Sequence, residues 1–358
     1  MTIRNYYKKL ILLFCFIFFI LSYSTNATGE LLFKDNFDSG TMSDEWLTKA
    51  PGQWVQNGWL HTKDTDGGPR DSMAVVRDSD TSWVNYELSI TVDPFETDSS
   101  WTHANVLFRT DDFIRASGIS QGRAYQLQIY NRGLQGEILQ GIPNYVSLHR
   151  TDHQSDPPSI LLGEVSQVLS PDPMQVKVRL MDDHISVSID GTTLIDVIDS
   201  DPLPCGGIGI HAIWETEARF DNVFVYEIPP TYSCAGYEPP MDSSPVTVKG
   251  KNRALPFKAE LKENGSLVTD ADIYALPVIQ VLYNSGQGGD PIDVTDNALP
   301  AGQGTEGNEF VFTDEGKWQF NLKLQNYTAP GTYTVIMVSG NELEYRIEPT
   351  CEALFVIK

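Results

Sequence analysis

The stretch GGIGIHAIWETEARFDNVFVYEI, residues 206–228, decides the fold. It alternates apolar and polar residues in two runs, one at each end, which is the spacing of side chains on opposite faces of a β-strand. It opens on paired glycines, Gly206 and Gly207. It also sets Asp221 and Asn222 inside its second apolar run, where a regular strand has no use for them.

Working outward, the same period recurs. NYELSITVDPF (85–95), NVLFRTDD (105–112), AYQLQIYNRG (124–133) and MQVKVRLMDDHISVSIDGTTLIDV (174–197) are short and rich in Val, Ile, Tyr and Phe, and Gly, Asp, Asn and Pro break them. In the last of these, Ile185, Val187 and Ile189 share one face and Ser186, Ser188 and Asp190 the other. Asp190-Gly191 is then a tight hairpin turn, because such turns need a positive φ that glycine tolerates. Helical periodicity is almost absent. Regular short strands with turn signals and no helices imply an all-β fold of the sandwich type.

The alternation breaks near residue 230, in the proline-rich EIPPTYSCAGYEPPMDSSP (227–245). A new strand series follows, from PVTVKGKNRALPFKAELKENGSLV (245–268) to GKWQFNLKLQNYTAPGTYTVIMVSG (316–340) and CEALFVIK (351–358). The expected organisation is a leader over 1–27, one sandwich over 28–229 and a second over 230–358.

The leader carries Arg4, Lys8 and Lys9, an unbroken apolar run from Leu10 to Leu21, and a small-residue stretch ending Thr25-Asn26-Ala27. That is the pattern of a secretory signal. The run is short of the ~20 residues a membrane span needs. The expectation is a protein secreted to the cell surface, the medium or the periplasm, and not membrane-spanning after cleavage; an uncleaved anchor is the alternative. Removing the leader leaves 331 of the 358 residues and takes the formal charge from −23 to −26. Such a surface repels nucleic acid and anionic lipid, so neither is an expected partner.

Cys15 falls in the leader, and Cys205, Cys234 and Cys351 remain. None stands in a C-x-x-C pair, which argues against a zinc site. Cys234 begins the second sandwich and Cys351 opens its last strand, so a Cys234–Cys351 disulfide is expected with Cys205 free. The rival is Cys205–Cys234, across the boundary.

With the strands laid out, residues 31–228 resemble the concanavalin A-like lectin/glucanase superfamily, and more narrowly the laminin-G-like jelly rolls of secreted bacterial proteins. LLFKDNFDSGTMSDEWLTKAPGQWVQNGWLHTKD (31–64) is similar to that family's opening, and ISVSIDGTTLIDVIDSDPLPCGGIGIHAIWETEARFDNVFVYEI (185–228) to its close. The resemblance implies a jelly roll in which Asp221 lies near DNFDSG (35–40). It also implies a structural calcium held there by Asp38 and Asp221. The competing reading is that Asp221 and Asn222 satisfy backbone groups at a strand edge. The second half resembles a bacterial immunoglobulin-like module, on GKNRALPFKAEL (250–261, with Pro256, Phe257 and Lys258), CAGYEPPMDSSPVTVK (234–249) and APGTYTVIMVSG (329–340). That resemblance implies an extracellular appendage and carries over no catalytic residue.

The superfamily hosts lectins, hydrolases and spacers, so activity must be argued from side chains. Its laminarinase-like members carry E-x-D-x-E or E-x-D-x-x-E on one strand, which supplies the paired carboxyls a retaining glycosidase needs. That pattern is absent, and WETEARFD (214–221) is the nearest look-alike. The three-keto-disaccharide hydrolases are similar over HANVLFRTDD (103–112) and GRAYQLQIYNRG (122–133), although their usual LFNG start is replaced here by LFKDNFDSG. No G-x-S-x-G or P-loop appears. His103, His149, His153 and His211 match no zinc spacing and read as scattered surface residues.

Period two places Tyr86, Leu88, Ile90, Val106, Phe108, Tyr125, Leu127 and Ile129 in the core. The opposite parity holds Glu87, Asn105, Arg109, Gln126, Gln128 and Tyr130, a polar face suited to sugar hydroxyls if the strands are neighbours; the solvated side of a sheet reads the same way. Of the tryptophans, Trp46, Trp54 and Trp59 belong to the opening motif and are expected in the core. Trp101 and Trp214 lie at loop edges and are the expected ring platforms. The leading expectation is non-catalytic binding of carbohydrate or another cell-surface ligand, with a keto-sugar-type glycoside hydrolase and a purely structural surface protein as alternatives.

Overall fold

The computed structural model describes residues 29–49, 52–63, 72–78, 80–93, 102–111, 122–131, 145–152, 158–166, 172–212, 217–243, 245–248, 254–301 and 307–358. The chain folds as an antiparallel jelly-roll β-sandwich followed by further small sheets. Fifteen strands build the sandwich among the described residues: β1 (Leu31–Asp35), β2 (Trp46–Lys49), β3 (Gln53–Gln56), β4 (Trp59–Lys63), β5 (Ser72–Val76), β6 (Tyr86–Asp93), β7 (Thr102–Asp111), β8 (Arg123–Asn131), β9 (Tyr145–Asp152), β10 (Ser159–Ser166), β11 (Met174–Met181), β12 (His184–Ile189), β13 (Thr192–Ile198), β14 (Gly207–Ala212) and β15 (Glu217–Glu227).

One sheet runs β13-β12-β11-β6-β15-β4-β3, with β1 also on β15; the other runs β10-β9-β8-β7-β14-β5-β2. A single apolar cluster fills the space between them. It contains all eight of the residues that period two sends inward, from Tyr86 to Ile129. The β12–β13 hairpin turns at Asp190-Gly191, with φ of 49° and 77°. Burial of this kind is the main stabilising term, at roughly 25 cal/mol per Å² of apolar surface removed from water.

The two oddities of residues 206–228 have structural reasons. The glycines lie where β14 enters between β5 and β7: a Cβ on Gly207 would sit 1.9 Å from the Val76 carbonyl oxygen. Asp221-Asn222 is a β-bulge. β15 pairs β4 through residues 217–220 and β1 through 223–226 on the same edge, and its register with β6 slips between Asp221 and Phe224. Asn222 takes up the extra residue with a φ of 51°. Asparagine tolerates that left-handed region better than most residues.

From Thr231 onward the strands gather around a second, separate apolar cluster. They form sheets of four, five and three strands. Strand Thr231–Cys234 runs parallel to Arg346–Ile347, and Cys234 is disulfide-bonded to Cys351 with Cα atoms 5.3 Å apart. Cys205 is free. No helix among the described residues is long and apolar enough to cross a membrane.

Candidate functional site

The face of the β10-to-β2 sheet that points away from the core carries the polar groups. Its register sets them in rows across the strands. One row reads Met73, His211, Asn105, Gln128, Ser147 and Glu164, on β5, β14, β7, β8, β9 and β10. A second reads His103, Tyr130, Tyr145 and Ser166, and a third Val75, Gly209, Leu107, Gln126, His149 and Leu161.

The rows divide by exposure. Gln126, Gln128, Tyr145 and His149 are half-buried and form an accessible floor over β8 and β9. Asn105, Ser147, His103, His211 and Tyr130 are buried beside it. The buried groups hold the floor. Gln126 Nε2 donates to Asn105 Oδ1 at 3.0 Å, and Asn105 Nδ2 donates to the His211 carbonyl at 3.3 Å. His149 Nε2 lies 3.1 Å from Ser147 Oγ, and its Nδ1 lies 3.2 Å from Ser159 Oγ. Tyr130 stacks on Tyr145 with centroids 4.5 Å apart and meets the His103 ring at 4.1 Å.

Burial, reinforced by the neighbouring His211, pushes the His103 imidazole down to about 3, so it is neutral across the physiological range. Burial also lowers His149, against the opposing pull of Glu164. The floor therefore presents groups that both donate and accept: two amides, a phenol and an imidazole.

Of the residues that parity assigns to this face, Asn105, Gln126, Gln128 and Tyr130 come together. Tyr130 is 6% exposed, and its ring supports Tyr145 instead of offering a platform of its own. Two assignments are corrected. Glu87 lies on β6 in the other sheet, 2.9 Å from Lys177 Nζ and 3.7 Å from Arg179 Nη1. Parity shows which side of its own strand a residue takes, not which strand lies next door.

Arg109 is 1% exposed and serves the architecture. The register of β7 slips after Phe108, and Arg109 has a φ of 46°, which ends the simple alternation. Its Nη1 donates to the carbonyls of Asp182 and Leu203 at 2.8 and 2.6 Å. Its Nη2 and Nε donate to the Val84 carbonyl at 2.9 and 3.2 Å.

Trp101, Trp214 and His153 lie outside the described residues. The remaining histidines are not scattered over the surface. His103, His149 and His211 share the polar face, and the signal was available, since each is out of phase with the apolar residues of its strand. Trp46 is buried in the core as expected, whereas Trp54 and Trp59 stand half-exposed on the outside of the other sheet.

At the bulge, Asp221 Oδ1 accepts from the Asn222 backbone N at 2.6 Å, and Oδ2 from its side chain at 3.0 Å. Burial raises the Asp221 carboxyl, that backbone bond opposes the rise, and the charges of Asp38 and Asp35 add to it. Asp35 is committed to Phe37 N, Ser43 N and Trp46 Nε1. The carboxylates of Asp38 and Asp221 thus lie close enough for their charges to act on one another. Among the described residues, however, no group of three or more His, Cys, Asp or Glu is arranged around a metal position. Calcium takes six to eight oxygens, so backbone carbonyls and water would have to supply the rest.

No family model matches the chain, and no curated protein matches it. Solved structures similar to it include the carbohydrate binding module CBM66 from Bacillus subtilis, at 14% identity and a TM-score of 0.39, covering 51% of this chain and 96% of that one. A protein of unknown function with a galectin-like fold from Bacillus subtilis is 16% identical at a TM-score of 0.42, covering 56% and 97%. LamAcat from Zobellia galactanivorans is 13% identical at a TM-score of 0.39, covering 57% and 100%.

Proposed function

We propose that this is a secreted or cell-surface protein that binds carbohydrate non-catalytically through its jelly roll. One observation carries the reading. The accessible floor is made of neutral groups that donate and accept hydrogen bonds, namely Gln126, Gln128, Tyr145 and His149, and buried partners hold Gln126, Tyr145 and His149 in place. A sugar presents hydroxyls that need both donors and acceptors, and amides supply both from one side chain. Side chains fixed beforehand lose less entropy when the ligand arrives. We further propose that the second half is an immunoglobulin-like module serving as spacer or attachment, with the disulfide fastening its first strand to its last.

The test is a glycan array with the full chain, alongside a variant carrying Gln126→Ala and Gln128→Ala. The expected result is binding to one class of glycan, unchanged glycan concentration over hours, and at least a tenfold loss of affinity in the double variant. Release of sugar would replace this reading with a hydrolase. An array without signal would leave the structural alternative standing.

A further inference from the structure

We propose a second carbohydrate-binding surface on the opposite side of the sandwich, built on Trp54 and Trp59. The β3–β4 hairpin turns at Asn57-Gly58, with φ of 54° and 77°. Leu60 and Thr62 then point inward, fully buried, and Trp59, His61 and Lys63 point outward. Trp54 faces His61 across the hairpin, and Gln56 faces Trp59. Both tryptophans are half-exposed, and neither is part of the apolar core.

The charged residues around them are spent on holding the rings. His61 lies flat on Trp54, with centroids 4.9 Å apart at 16°. The Arg219 guanidinium sits 5.1 Å from the Trp59 centroid. His61 is 3.1 Å from Glu217, which also meets Lys63 at 3.6 Å, and Arg219 pairs with Asp93. Each ring is therefore supported from one side, Trp54 by an imidazole and Trp59 by a guanidinium whose charge Asp93 compensates.

The surface offers indole faces and the exposed Gln56 amide, whose Oε1 accepts from Trp54 Nε1 at 3.4 Å. A neutral pyranose suits this combination: its C–H groups meet the electron-rich ring face, and its hydroxyls reach the amide. An anionic lipid surface does not suit it, because the chain carries a net charge of −23. The surface is separate from the floor at Gln126 and Gln128, so it stands or falls independently of that site.

The experiment is affinity electrophoresis of the full chain in gels cast with β-glucan, xylan, galactomannan or dextran, with Trp59→Ala, Trp59→Phe and Trp54→Ala variants and the Gln126→Ala/Gln128→Ala variant beside them. Thermal melts confirm that each variant is folded. Stacking of this kind changes affinity roughly three- to tenfold per ring. The wild type should be retarded in at least one gel. Trp59→Ala should lose about that factor, Trp59→Phe should keep most of it, and the glutamine variant should keep the Trp59-dependent part. Equal retardation of Trp59→Ala and wild type in every gel overturns the proposal, as does a wild type that no gel retards. Loss in the glutamine variant alone supports only the floor on β8 and β9.

Discussion

Arg109→Ala separates an architectural arginine from a ligand-binding one. The guanidinium joins three segments: the approach to β6 at Val84, the β11–β12 turn at Asp182, and the loop before β14 at Leu203. The Leu203 bond is buried, and a bond from a charged donor in that setting is worth about 1.5–3 kcal/mol. The bonds to Val84 and Asp182 are only part-buried, and water can replace the donor there, so each is worth about 0.5–1 kcal/mol. Removing the apolar stem of a side chain that is 1% exposed adds about 1–2 kcal/mol. Together these give about 3.5–7 kcal/mol, a large share of the ~5–15 kcal/mol that holds a domain together. For a domain of this size the melting temperature should fall by about 7–28 °C. Arg109→Lys should fall between, because an ammonium cannot reproduce the planar fork that reaches three carbonyls. The assay is calorimetry of the full chain, with glycan binding measured on whatever fraction stays folded. A variant that melts within about 2 °C of wild type and loses its ligand would refute the architectural role.

Three further outcomes are expected. Cys351→Ser opens a loop of 117 residues, so the second half should lose up to about 4.7 kcal/mol, the chain-entropy limit for a loop near 100 residues, and melt earlier in a differential scan; an unchanged scan would show that the bridge adds nothing. Between pH 6.5 and about 3 the unfolded chain takes a proton at His103 that the folded chain refuses, so stability falls as pH falls through that window, and His103→Gln should flatten this acid limb relative to wild type; parallel pH profiles would refute it. Calcium held between Asp38 and Asp221 would stabilise the fold by about 2.7 kcal/mol at a hundredfold excess over its Kd, so metal-free protein should melt several degrees higher on adding calcium and Asp221→Asn should lose the shift; identical melts remove the site.

What could be read from the sequence follows the reach of each signal. Alternation is local, so the core parity of Tyr86, Leu88, Ile90, Val106, Phe108, Tyr125, Leu127 and Ile129 was legible residue by residue. Which strand lies beside which is not local. Parity groups Glu87 with Asn105 because both are out of phase with the core, yet β6 pairs with β11 and β15 and not with β7. The likeness of residues 31–64 to a family's opening motif, not their own parity, puts Trp54 and Trp59 in the core. A tryptophan in a strand reads as apolar, but Leu60 on β4, paired with Val55 on β3, fixes the inward parity and leaves both rings outside.

The remaining departures fall where a non-glycine residue takes a positive φ and the period of two stops. Arg109 and Asn222 are both of this kind, at 46° and 51°. Each stands where the register of a strand slips. β15 passes from β4 to β1 at Asn222, and β7 slips against both β8 and β14 beyond Phe108. A strand that must serve two partners on one edge needs an extra residue to reset its register, and that residue is left without a regular ladder position. Asn222 meets this with its own carboxylate neighbour, whose two oxygens take its backbone and side-chain N–H groups. Arg109 meets it with a Tyr86 hydroxyl accepting from its backbone N at 2.7 Å. A polar residue inside an apolar run of such a sandwich therefore marks first a slip of register, and only then a candidate for contact with a ligand.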